Sequence, residues 1–338
     1  MKIINKKPPI LLSFLEKIQP LNLEEEKQKF FFDPSYNPQF EYPEKIPAES
    51  LLRYGEVDNQ YFKHAVKILD TVVKDYGSEL EFQEKENGPL LTAEDSLTII
   101  EDFLKHNRLE NLVRLTFSSQ FSARTSLKVT SAGFDLQIRT PIKYRKNSLQ
   151  GMLYHEIGTH LFRWINEMEQ PWHQNHNKFG LKHKYLITEE GLAAINNLVS
   201  REKPFLWSQA LNYFLVYEGS QSTFAELNKK LKKYVENPDR RWNYCLKVKR
   251  GVEDTSTKLV FSKNQIYFIG VVQVLRWLVQ NDYKVNELYL GKLALKDLSA
   301  ASKIATKTPV LPDFLHDRET YIDQIDKIIE INKLDELM

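Results

Sequence analysis

Cysteine is nearly absent: Cys245 is the single one in 338 residues. That excludes an internal disulfide framework and an all-cysteine metal site, and it fits a reducing compartment. No apolar run reaches the ~18 residues that a membrane-spanning helix needs. The opening residues are basic and then apolar, but the apolar part is short and no small-residue cleavage site follows, so secretion is not expected. A charge excess of one sign is missing too. The 47 Lys and Arg face 45 Asp and Glu, a net charge of +2 that gives no global argument for nucleic acid. The expected location is the cytoplasm, with neither membrane nor nucleic acid as partner. Histidine is scarce at eight residues, which makes any clustering of it informative.

What is present is organised around Tyr154-His-Glu-Ile-Gly-Thr-His160. Leu149, Met152, Leu153, Ile157, Leu161, Trp164, Ile165 and Met168 recur at three- and four-residue spacing behind Ser148 as an N-cap, so the stretch reads as a buried amphipathic helix. In the zincin signature two histidines four residues apart lie about 40° apart round a helix and share one zinc, with the intervening Glu as base. Here the spacing is five. An ideal helix would set His160 about 140° from His155, too far round for one tetrahedral ion. Five residues fit one turn of π winding, a distortion that concentrates at functional sites, and Gly158 lies inside the turn that must stretch. The spacing therefore predicts a bulge or local unwinding between His155 and His160. The plain alternative is two core histidines satisfying nearby hydrogen bonds, although only roughly 0.02 H-E-x-x-x-H spacings are expected by chance with eight histidines.

A third ligand would decide. Thr188-Glu-Glu-Gly-Leu-Ala193 opens a later helix, capped by Thr188, with two carboxylates in its first turn. The helix dipole alone would explain acidic residues there. Alternatively one of them completes the metal site and leaves the fourth position to water. Glu190, beside Gly191, is the expected ligand, and Glu189 the outward, dipole-stabilising residue.

The remaining chain reads as an α+β fold, mostly helical and zincin-like, with a small antiparallel sheet beside the metal helix. Residues 1–52, rich in Pro and aromatics, suit an extended arm packing on the body with one short helix near 23–30, and 53–338 read as one catalytic domain. Helices are expected at 59–76 and 92–105, the second with a Thr92-x-x-Asp95 capping box, and 77–89 reads as polar loop. Residues 112–118 and 127–144 alternate as strands, with Ser131-Ala-Gly133 as a hairpin turn. A strand edge beside a metal site is where peptide substrates commonly add as one more strand. The loop 170–183 carries three further histidines and reads as a cleft wall rather than a second metal site. Helices follow at 205–217, 222–235, 240–248, from Ser262 as cap to 280, and at 318–334, while 284–315 reads as a peripheral layer. The basic runs at 228–234 and 247–251 are solvated helix faces or a surface for an acidic partner.

Several stretches together resemble the microtubule-associated tyrosine carboxypeptidases and their bacterial relatives, the flavohaemoglobin expression-modulating QEGLA-motif proteins. They are His155-Glu-Ile-Gly-Thr-His160, Gln170-Pro-Trp172, Thr188-Glu-Glu-Gly-Leu-Ala193, Pro204-Phe-Leu-Trp207, Arg241-Trp-x-Tyr-Cys245, Lys249-Arg-Gly251 and Phe261-Ser-Lys-x-Gln-x-Tyr267, spanning about 120–280. Position 189 is Glu where the bacterial signature has Gln, and the eukaryotic members carry a longer N-terminal extension that contributes to microtubule contact. The resemblance implies a carboxypeptidase with one zinc ion that removes a C-terminal tyrosine, with α-tubulin tails as the known type of substrate and the cytoskeleton as a possible site of action. It also implies His155, His160 and Glu190 as ligands and Glu156 as base.

An exopeptidase must read a free terminal carboxylate, and a cation does this through charge-assisted hydrogen bonds. Arg250 and Lys263, within the matching stretches, are the candidates, and Tyr267 is the candidate donor to the oxyanion. Two other classes stay open: a zinc endopeptidase or amidase without a carboxylate anchor, and a non-catalytic module stabilised by zinc.

Overall fold

The computed structural model describes residues 13–121, 123–130 and 133–338, and the chain divides into two compact units, Met1–Phe62 with Asn212–Gln265 and Lys63–Leu211 with Ile266–Met338. Among the described residues no helix is long and apolar enough to cross a membrane.

The second, larger unit is helical around one small sheet. Its innermost element is the helix Ile266–Gln280, where Ile266, Phe268, Val271, Val272, Val274, Leu275 and Leu278 are all buried, as expected of a helix that is apolar on nearly every side. It crosses the helix Leu186–Asn196 at glycine against glycine. A Cβ on Gly270 would overlap the Ile187 carbonyl and stand 2.8 Å from the Gly191 Cα, so only hydrogen atoms let these two backbones approach. Gly151 does the same on the helix Lys146–His155, where a Cβ would overlap the Asn197 carbonyl.

The sheet holds β1 (Val113–Ser118), β2 (Thr125–Thr130) and β3 (Gly133–Arg139) in the order β1-β3-β2. It is mixed rather than antiparallel throughout: β2 pairs antiparallel to β3, while β1 joins the other side of β3 in parallel. Alternation in sequence identifies strands but not their neighbours. Leu115, Leu136 and Leu127 align across one face, and on the other Asp135 accepts from Thr116 and Arg114. Gly133 has φ +124°, a value only glycine adopts easily, while Ser131 and Ala132 of the expected turn lie outside the described residues.

Several expectations for this unit change. The stretch 77–89 contains a helix, Glu79–Asn87, capped by Ser78. Its sequence is too polar to announce itself, but Phe82 packs on Tyr76 and Phe205, and Glu86 accepts from the Tyr76 hydroxyl at 2.7 Å. The helix that bears His155 begins at Lys146 with Arg145 as its cap, so Ser148 lies inside it. Residues 284–315 are not merely peripheral, since Leu288, Tyr289 and Leu293 are fully or almost fully buried.

In the first unit the N-terminal segment forms helices Phe14–Lys17, Leu23–Phe32 and Ala48–Leu51. Its aromatics pack as the composition suggests: Phe30 meets Phe224 and Trp242 at ring distances of 5.2 and 5.4 Å. Ser262 is not a helix cap; it sits in a 3-10 turn, Ser262–Gln265, and its hydroxyl donates to the Leu51 carbonyl. Nor is the run 247–251 wholly a solvated face. Lys249 is fully buried, and its ammonium shares three N–H groups among the carbonyls of Gly219, Ser222, Thr257 and Leu259 at 2.8–3.0 Å. Burial pulls its pKa down to about 8. Lys249→Met keeps the apolar stem but strands four carbonyls, so we expect a loss of roughly 3 kcal/mol or more, read as a lower urea midpoint.

Candidate metal centre and active site

The predicted bulge is present. An α-helix, Lys146–His155, passes into one π turn, Glu156–Leu161, and returns to α-helix at Phe162–Met168. A widened turn leaves backbone groups to be satisfied from elsewhere. The Thr159 hydroxyl donates to the Tyr154 carbonyl at 2.9 Å, and the Tyr289 hydroxyl donates to the Gly158 carbonyl at 2.8 Å. The buried Asn196 amide donates to both hydroxyls, and its oxygen accepts from Tyr321. Every polar atom of this side-chain group finds a partner, which fixes the turn in place. Gly158 contributes through packing: a Cβ there would stand 2.6 Å from Phe314, whose ring stacks on Tyr154 at 4.1 Å.

The π turn brings the His155 and His160 rings to 4.9 Å, nearly perpendicular. Glu190 Oε2 lies 3.9 Å from Nε2 of each. Ligand atoms of these three residues all fall within 4.8 Å of one another. A tetrahedral ion with bonds near 2.1 Å separates its ligands by about 3.4 Å, so a small contraction closes the set round one ion. Two imidazoles and a carboxylate suit a first-row divalent metal and leave a position open.

Electrostatics favours the same arrangement. Burial, reinforced by the neighbouring His160, pushes His155 down to about 3, leaving a neutral imidazole whose lone pair is available for a metal. The His155 ring also bonds to the backbone of Ala193. For His160, burial opposes the charged form, but the hydrogen bond and charge of Glu189 outweigh it and raise the pKa. Burial raises the Glu156 carboxyl, while His160 and the Leu127 N–H pull the other way. That N–H, on the edge of β2 that no strand pairs among the described residues, donates to Glu156 Oε2 at 3.1 Å.

Glu189 is the main departure. It is buried, not outward, because the helix starts at Leu186 and Thr188 lies within it, its hydroxyl accepting from Leu295 N. One Glu189 oxygen meets His160 Nδ1 at 2.8 Å and Lys292 Nζ at 2.6 Å, and the other meets Arg163. Arg163, also buried, is itself anchored on the carbonyls of Gly291 and Leu293. Burial resists ionisation of Glu189, yet the two cations and His160 hold its carboxyl well below the usual range. A carboxylate on Nδ1 selects the tautomer that presents Nε2 to a metal. Glu189→Gln is expected to weaken metal affinity roughly 10–100-fold, measured by competition with a chromophoric chelator.

Sequence patterns gave no sign of Arg163 or Lys292. The loop histidines serve elsewhere: His176 meets Glu167, His173 the Gln170 carbonyl, and His183 Asp297. Tyr267 lies one turn before Gly270 on the helix that crosses the Glu190 helix. Arg250 and Lys263 belong to the first unit, where the guanidinium lies over Phe261 and the ammonium over Tyr54.

Residues 44–331 match the family described as microtubule-associated tyrosine carboxypeptidase. The chain belongs to this family. A Mus musculus protein named putative tyrosine carboxypeptidase MATCAP2 is 36% identical over 327 residues, covering 96% of this chain and 62% of that protein. The Rattus norvegicus and Homo sapiens proteins named microtubule-associated tyrosine carboxypeptidase 1 are each 34% identical, over 98% and 99% of this chain and 70% of their own lengths. The chain thus spans less than two thirds of the mouse relative. The family match runs through both units and includes His155, Glu156, His160 and Glu190 together with Arg250, Lys263 and Tyr267.

Proposed function

We propose that this chain is a zinc metallocarboxypeptidase that removes a C-terminal tyrosine, or another aromatic residue, from acidic protein tails, with α-tubulin as the type of substrate and the cytoplasm or cytoskeleton as its place of action. The observation that carries this is the convergence of His155, His160 and Glu190 beside Glu156 and the edge strand β2. The names of the relatives supply the tyrosine and the microtubule.

His155, His160 and Glu190 would hold the zinc, which when bound supplies Lewis-acid polarisation of a carbonyl and a water acidified toward neutrality. Glu156, its affinity for protons raised by burial, takes the proton of the attacking water and hands it to the leaving amine of the tyrosine. The Leu127 N–H holds that carboxylate in place. The outer edge of β2, which pairs with no strand among the described residues, offers the substrate backbone a strand to join. Tyr267 is the proposed donor to the oxyanion, and Arg250 and Lys263 are cations proposed to read the terminal carboxylate. A purely structural zinc site would be closed by four ligands, whereas the group here has three among the described residues.

Mass spectrometry of peptides ending in Glu-Glu-Tyr tests the reading. Wild type should remove one tyrosine and stop, and Glu156→Gln should keep its zinc while losing at least ~10³-fold in rate. Cleavage at internal bonds, or a Glu156→Gln variant as active as wild type, would contradict it.

A further inference from the structure

Behind His160 two cations, Arg163 and Lys292, share the buried carboxylate of Glu189. Arg163 is fully enclosed and donates through its other nitrogens to the carbonyls of Gly291 and Leu293. The Lys292 side chain is 15% exposed, and among the described residues its ammonium donates to Glu189 alone. An ammonium has three protons to give.

Its surroundings fit the end of a chain. Nζ lies 5.7 Å from the ring centroids of both Trp164 and Tyr185, placing a cation between two aromatic faces. The backbone that bears it is pinned, because Lys292 N donates to Glu167 Oε2 at 2.9 Å. Through Glu189 the ammonium is two hydrogen bonds from His160, so it stands at most about 10 Å from an ion held by that ring. A terminal carboxylate lies about 4 Å beyond the scissile carbonyl, so its distance from the ion and that of the ammonium are of the same order.

We propose that Lys292 is a specificity-determining residue that binds the α-carboxylate of the substrate's last residue, with Trp164 and Tyr185 flanking that residue's side chain. This rests on the carboxypeptidase reading above. It adds a cation of the metal-bearing unit to the candidates Arg250 and Lys263.

Binding measured without turnover separates the possibilities. In zinc-loaded Glu156→Gln protein, a fluorescent peptide ending in Glu-Glu-Tyr should bind roughly 10–100-fold more tightly as the free acid than as the amide. Adding Lys292→Met should erase that difference by weakening the acid alone, and Lys292→Arg should restore most of it. Arg250→Met and Lys263→Met are made in the same background. The proposal is overturned if Lys292→Met weakens acid and amide equally, as a role confined to orienting Glu189 requires, or if the discrimination disappears with Arg250 or Lys263 instead. Should Lys292→Met not fold, Lys292→Gln takes its place under the same criteria. Wild-type turnover is followed in parallel: failure to release tyrosine from the acid peptide would sink the peptidase reading itself, whereas release alongside intact discrimination in Lys292→Met would sink only Lys292.

Discussion

Glu190→Ala is expected to weaken metal binding sharply and abolish the proposed tyrosine removal while the chain stays folded. Glu190 is the one carboxylate among the three converging residues, with Oε2 3.9 Å from both imidazoles. Without it two neutral rings must hold a dication alone. The loss of affinity should far exceed the roughly 10–100-fold expected for an orienting partner such as Glu189. Metal content after dialysis, rate and circular dichroism together check it. Glu190→Ala protein that retains one equivalent of zinc would remove Glu190 from the ligand set, and Glu189→Gln protein with the larger loss would reverse the roles of the two carboxylates.

Gly270→Ala should be among the most damaging small substitutions in the larger unit. The added methyl has nowhere to go: it would meet the Ile187 carbonyl and the Gly191 backbone, both rigid parts of the crossing helix. Separating the two helices empties well-packed core on both sides, a cost of roughly 3 kcal/mol, or a fall in Tm of roughly 6–12 °C for a domain of this size. The same shift moves Glu190, which stands one residue before Gly191, so metal affinity should fall with stability. Thermal melts with and without zinc check both effects. An unchanged Tm would mean that the crossing is looser than the backbone distances indicate.

How much of this was legible depends on whether local spacing or tertiary contact decided the outcome. The five-residue interval between His155 and His160 permits one metal only if the helix widens, so geometry alone pointed to the π turn found at Glu156–Leu161. Glu190, beside Gly191, was the expected third ligand, and its carboxylate lies 3.9 Å from both imidazoles. What holds the turn open did not follow, because Thr159, Asn196, Tyr289 and Tyr321 meet only after four segments pack together. Gly158 was noticed for the right turn but for another reason; its small size makes room for Phe314. The fate of Glu189 was misjudged because acidic residues near a helix start have a ready explanation in the dipole. Arg163 and Lys292, remote in sequence and without a pattern, stabilise that charge in an inward position together with His160. Lys249 misled for the same reason, since a lysine in a basic run gives no hint of four carbonyls closing round it.

The central claim is that the widened turn lets two histidines five residues apart share one ion with Glu190. X-ray absorption at the zinc edge on protein loaded with one equivalent addresses it directly. The expected spectrum has two imidazoles together with oxygen ligands at about 2.0–2.1 Å, losing one imidazole in His155→Ala and in His160→Ala separately. A spectrum with a single imidazole, or one unchanged by either substitution, would contradict the account.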